Sequence, residues 1–262
     1  MPRRIIIHGG FHLSGGATSQ NTLRENRVAM KKQTALRLPW HLKDVLPASR
    51  AYAASRDPAA LPQVQAHFDA LMTALPGMPR RTLILSADDL IGPLPGQTAA
   101  QDYTAAPVLF YAYWEIARKH FPAADIQFHL STRAPDVWLA AAYAHLVETT
   151  DLTLSFDAFC TQYVPAADHT GMVAEIASRV PAPVHHCDLA TCRDLPLGPA
   201  DPLLDLCKLP MTLRMGLMPT AHEKTRDDPD LLAALLEANR THADPKARTA
   251  AKEAIRRTAG VL

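Results

Sequence analysis

The stretch richest in chemistry runs His8-Gly9-Gly10-Phe11-His12-Leu13-Ser14-Gly15-Gly16-Ala17-Thr18, straight after the apolar triplet Ile5-Ile6-Ile7. Glycines at this density let backbone N–H groups approach a ligand closely. A helix beginning there would turn its unpaired N–H groups and the positive end of its dipole onto an anion. The segment therefore reads as a cradle for a phosphate or a sulfate, with Ser14, Gly15, Gly16, Ala17 and Thr18 as its binding residues. Gly10-x-x-x-x-Gly15 has the spacing of the nucleotide loop G-x-x-x-x-G-K-[ST]. Gly16 and Ala17 stand where that loop needs its lysine and its Mg²⁺ hydroxyl, and no lysine precedes Lys31, so phosphoryl transfer from ATP is disfavoured. The four glycines also miss the G-x-G-x-x-G spacing of dinucleotide folds.

Other residue types could complete such a site. Asp88 and Asp89 follow the apolar run Thr82-Leu-Ile-Leu85, the strand-end position where open α/β sheets place their ligands. Asp88 is the candidate general base, with Asp89 as its competitor and a helix N-cap as the plainer role. His12 is a candidate cation or base, and Arg133, just past the strand Asp125–Leu130, a candidate phosphate ligand. His185-His186-Cys187 with Cys192 invites a metal, but the spacing fits no closed Cys/His zinc pattern and adjacent strand residues face opposite ways, so no metal is expected.

The elements that must position these groups follow from periodicity. Ile5–Ile7, Thr82–Leu85, Asp125–Leu130 and Pro183–Cys187 read as strands. The polar segment after the glycine loop has no Gly or Pro until Leu38-Pro39 and reads as helix throughout. Two helices fill 39–75, broken near Asp57-Pro58. Others are expected at Pro107–His120, Val137–Val147, Ser155–Tyr163, Met172–Val180, Asp230–Asn239 and Lys246–Thr258. Val137–Val147 is apolar nearly all round and should be buried, and the last helix, rich in Lys and Arg, should lie on the surface. Asp228-Pro229 and Asp244-Pro245 read as N-caps followed by a first-turn proline. The order β-α-α-β-α-β-α gives an α/β fold with three layers, α/β/α, of P-loop type around a mainly parallel sheet, in a single domain over 1–262.

The pattern His8-x-Gly10-x-His12-x-Ser14-Gly15-x-x-Thr18-x-Gln20, with Leu23 and Glu25-Asn26-Arg27, resembles the opening of bacterial sulfotransferases, roughly H-x-G-x-H-K-T-G-T-T-S-x-Q-x-x-L-x-x-N-R. Ser86-Ala-Asp88-Asp89 is similar to that family's S-S-E-D segment, and Arg133, Pro135, Trp138-Leu139 and Tyr143 continue the likeness. Phe156-Asp-Ala-Phe159 and Leu235-Leu236-Glu-Ala-Asn239 look like later landmarks. The resemblance implies sulfuryl transfer from 3′-phosphoadenosine 5′-phosphosulfate (PAPS) to a small-molecule or glycan hydroxyl or amine. In that scheme Ser14–Thr18 hold the 5′-phosphosulfate, Arg133 the 3′-phosphate, and Asp88 takes the acceptor's proton. The chain departs from the pattern in three places: Leu13 replaces the loop lysine, Ser14-Gly15-Gly16-Ala17 replaces Thr-Gly-Thr-Thr, and Ala141 replaces a serine near the 3′-phosphate. His12 is then the nearest substitute for the lysine. A catalytically inactive module of the same fold, binding a nucleotide, an anion or a protein, is the alternative.

Bulk properties bound the rest. In 262 residues, 27 basic and 26 acidic side chains leave a net charge of +1, which gives no electrostatic case for nucleic acid or an anionic membrane as a partner. The apolar runs are too short to insert in a bilayer or to form a secretory leader. Four cysteines in a chain of this size read as reduced thiols of a cytoplasmic protein.

Overall fold

A computed structural model describes residues 1–220 and 228–261. The chain opens with β1 (Arg4–His8), α1 (Gly16–Glu25), α2 (Arg27–Met30) and β2 (Thr34–Arg37), then α3 (Val45–Ser55), α4 (Leu61–Thr73) and β3 (Thr82–Ser86). A 3₁₀ turn at Asp88–Ile91 leads towards α5 (Ala106–His120), β4 (Asp125–Thr132), α6 (Pro135–Thr149), α7 (Phe156–Tyr163), α8 (His169–Arg179) and β5 (Val184–Asp188). Short helices α9 (Leu189–Cys192), α10 (Ala200–Leu206) and α11 (Met211–Arg214) precede the terminal pair α12 (Pro229–Thr241) and α13 (Pro245–Thr258).

All five strands run parallel in the order β2-β3-β1-β4-β5. The expected α/β/α layering holds, and the two strands β1 and β3 are apolar on both faces. Ile5 and Ile7 join Leu83, Leu85, Ile126 and Phe128 in a large core under α3–α8. Ile6 and Ile84 join Leu23, Met30, Leu203 and Leu204 under α1, α2 and α10. Strands buried on both faces read as continuous apolar runs, which is how β1 and β3 stand out in the sequence.

Three expectations need correction. The polar segment after the loop is not one helix. α1 stops at Asn26, whose side chain donates to Thr22 O and Met218 O, both at 2.8 Å, and the chain then returns through β2 to pair with β3. Nothing local marks Thr34–Arg37 as a strand; the free edge of β3 recruits it. α6 is not buried all round: Trp138, Leu139, Ala142 and Leu146 face the core, while Val137 is 45% exposed. α13 is largely a surface helix, yet Lys252 is buried. Its Nζ donates to the carbonyls of Val147, Glu148 and Thr150 at 2.7, 3.3 and 2.6 Å, capping the C-terminal end of α6. Asp228 and Asp244 do cap α12 and α13, accepting from Leu231 N and Ala247 N.

Candidate functional site

β1 lies between β3 and β4, which the chain reaches on opposite sides, so their C-terminal ends form the crevice typical of open α/β sheets. At its floor His8 is wholly buried, with Nδ1 2.8 Å from Ser86 Oγ on β3 and Nε2 3.2 Å from Ser131 Oγ on β4. Burial holds its pKa down to about 4, so the ring is neutral and ties three strands together through two hydroxyls. The strand register sets Ser86, His8, His129 and His185 abreast. His129 meets the His8 ring edge-on at 5.3 Å, and neither of its ring nitrogens has a partner among the described residues.

The glycine loop is held from several sides. Phe11 N–H donates to Ser131 O at 2.9 Å, Trp138 Nε1–H to His12 O at 2.9 Å, and Arg133 Nη1–H to Leu13 O at 2.8 Å. Leu13 sits at φ 61°, a left-handed conformation uncommon for a branched residue and costing of order 1 kcal/mol. Its side chain is partly buried and packs against the main core. Gly15, at φ 94°, starts α1 with no side-chain cap. The N–H groups of Gly16, Ala17 and Thr18, in the first turn, therefore have no intrahelical acceptor.

Asp88 stands against this helix start. Its Oδ1 accepts from Gln20 Nε2 at 3.2 Å and lies 3.5 Å from where a Cβ on Gly10 would be. A Cβ on Gly16 would collide with the Asp88 carboxyl group outright. Position 16 thus has a steric reason to be glycine: any side chain there would displace the carboxyl group over the loop. Enclosure in the crevice raises the Asp88 pKa to about 6, with Asp89 adding to the rise and His12 opposing it.

His12 faces Asp89 rather than Asp88. Its Nε2 is 3.2 Å from Asp89 Oδ1 and its Nδ1 3.1 Å from Tyr103 OH, while Arg50 Nη1 lies 3.6 Å from Asp89 Oδ2. A carboxylate only accepts, so Nε2 carries a proton in either charge state, and Nδ1 accepts from Tyr103 or, in the cation, donates to it. Both nitrogens are engaged. His12 can add charge to the crevice but presents neither nitrogen directly to a substrate in this arrangement.

The structure thus brings the loop residues Ser14–Thr18, His12, Asp88 and Arg133 to one crevice. It gives Arg133 a bracing contact on the loop itself, besides the bond its N–H makes to His169 Nδ1 at 3.2 Å. Ala141 is buried on α6 and supplies no hydroxyl. Sequence reasoning missed Ser86 and Ser131 as partners of His8, and Tyr103 and Arg50 as partners of the His12–Asp89 pair. Tyr103 sits in a loop whose composition carries no motif. Among the described residues no group of three or more His, Cys, Asp or Glu side chains is arranged to hold a metal ion. A groove of about 520 Å³ lies away from the crevice, where α13 meets the end of α6, and its charges are paired within it: Arg248 with Asp151 at 3.6 Å and Arg256 with Glu148 at 3.2 Å. No helix among the described residues is long and apolar enough to cross a membrane. Compared with protein-family models, with curated proteins and with solved structures, the chain matches none.

Proposed function

We propose that this protein is a sulfotransferase-like transferase whose loop binds the 5′-phosphosulfate of PAPS at Ser14–Thr18 and passes a sulfuryl group to a small hydroxyl or amine acceptor. The observation that carries this reading is the pairing of an uncapped helix start with a carboxyl group set directly over it. The three N–H groups at Gly16–Thr18 suit an oxyanion. Asp88, with its pKa near 6, is mostly ionised at neutral pH and basic enough to take a proton from an acceptor beside that oxyanion.

PAPS fits the residues in part. The cradle supplies backbone donors, and Arg133 would meet a 3′-phosphate after turning from Leu13 O. The donor would supply the sulfuryl group; the chain would orient it, stabilise its charge through the first turn of α1, and hold the acceptor's proton on Asp88. The cation that the sulfotransferase pattern places at position 13 is missing. Leu13 is a partly buried apolar side chain against the edge of the core and carries no charge, and losing one preorganised donor typically costs roughly 10²–10³ in rate. That loss favours a second reading, a binding module without turnover.

Thermal shifts with 3′-phosphoadenosine 5′-phosphate, ATP–Mg²⁺ and plain sulfate test both readings. Selective stabilisation by the bisphosphate is expected. A response to none of the three would sink the loop as an anion site, and a response to ATP–Mg²⁺ alone would move the protein to phosphoryl chemistry. Sulfuryl transfer to simple alcohols or phenols from PAPS then separates enzyme from module.

A further inference from the structure

A pair of cysteines lies on the same side of the molecule as the loop, outside the machinery described so far. Cys187 is the fourth residue of β5, and Cys192 ends α9 five positions on. The turn between them is tightly built: Asp188 Oδ1 accepts from Ala190 N at 2.8 Å, and Thr191 Oγ1 donates to Asp188 O at 2.8 Å. Both sulfurs point into it. Cys187 Sγ lies 3.5 Å from Thr191 Oγ1, and Cys192 Sγ 3.9 Å from Leu189 O. Cys187 is half-buried and reachable on the edge strand β5, whereas Cys192 is 1% exposed. Leu189, inside the turn, touches the loop: a Cβ on Gly15 would lie 2.9 Å from Leu189 Cδ1.

We propose that Cys187 and Cys192 form a dithiol site that closes to a disulfide by exchange with a small-molecule disulfide, and that closure shifts Leu189 against the start of α1. The Cys187 thiolate attacks one sulfur of the oxidant and releases one thiol. Cys192 sulfur then attacks Cys187 Sγ of the mixed disulfide, releases the second thiol, and gives up its proton to solvent. Two protein thiols lose two electrons, and one disulfide becomes two thiols. Burial first, and the adjacent Cys187 thiol second, hold Cys192 above the ordinary thiol range, and closure quickens as pH rises. Cys207 is buried just past the end of α10 and Cys160 is the fifth residue of α7, so each serves as an internal control.

Phenylarsine oxide bridges two thiols only when they are close, and it tests the pair without an oxidant. The native full chain should bind one arsenical, and Cys187→Ser and Cys192→Ser should each bind none, while Cys160→Ser binds as the native chain does. After incubation with oxidised glutathione, differential alkylation and peptide mapping should show residues 187 and 192 linked. Glutathione retained on Cys187 without closure, or arsenical binding unchanged in Cys187→Ser, overturns the proposal. Its consequence for the loop rests on the anion-site reading; disulfide formation does not. Linked cysteines with an unchanged anion response would remove the coupling to Leu189 alone, whereas no anion response in the reduced chain would count against the loop reading instead.

Discussion

Replacing Asp88 by Asn tests whether the carboxyl group over the loop is held there at a cost to the fold. Asn keeps the shape and an oxygen that accepts from Gln20 Nε2 but cannot ionise. The Asp88 pKa is 3.8 before folding perturbs it and about 6 in the folded protein. A pKa raised by folding means that the native state binds the proton more tightly. Stability contributed by the protonated carboxyl is present below the unfolded pKa and is lost as pH rises through the folded pKa. A rise of about two units, at ~1.4 kcal/mol each, sets a ceiling of ~3 kcal/mol on the penalty at neutral pH. The start of α1 favours the ionised form and trims that figure. Asp88→Asn should therefore be more stable than the native chain by ~2–3 kcal/mol at about pH 7.5 and by about half as much at about pH 5, with the two converging below about pH 4. Urea unfolding of both proteins across this range measures the difference, and contributions common to both, His8 among them, cancel. A gap that does not change with pH, or a variant less stable than the native chain at about pH 7.5, would refute the reasoning. Sulfuryl transfer should fall in the same variant, since Asn cannot take the acceptor's proton.

Gly16→Ala should destabilise the protein by ~1–3 kcal/mol through collision with Asp88, and the loss should shrink in an Asp88→Gly background, read as a double-mutant cycle by urea unfolding. Lys252→Met should cost several kcal/mol, because it strands carbonyls at the end of α6 that the ammonium now serves, and the melting temperature should drop without loss of anion response. His8 has a folded pKa near 4, below its usual 6.5, so its neutral form supports the fold above 6.5 and that support is lost as pH falls towards 4. His8→Asn should flatten the acid side of the stability profile in that window. Leu13→Lys should raise sulfuryl transfer if the lysine reaches the crevice; an unchanged rate with bisphosphate binding intact would favour the binding module.

The loop and the ends of β1 and β3 were legible because their signals are local. Three β-branched residues in a row, a cluster of glycines and a strand ending in two aspartates each carry their meaning within a few positions. The caps Asp228 and Asp244 were legible for the same reason. β2 was not: Thr34–Arg37 becomes a strand only because β3 offers an open edge, and its own residues favour no conformation strongly. Tyr103 and Arg50 were equally hidden, since their part in the His12–Asp89 group depends on segments about 90 and 40 residues from the loop meeting over it.

The residue types alone determined that Ser14–Thr18 could present backbone donors to an anion and that position 13 could not supply a lysine's charge. Tertiary structure decided which carboxylate faces the loop. Asp88 and Asp89 are neighbours of the same type, and only the 3₁₀ turn after β3 sends one over Gly16 and the other to His12 and Arg50. It also decided that His12 has both nitrogens engaged and that Arg133 braces Leu13 O, because hydrogen-bond partners are set by distances across the sheet, which sequence spacing does not encode.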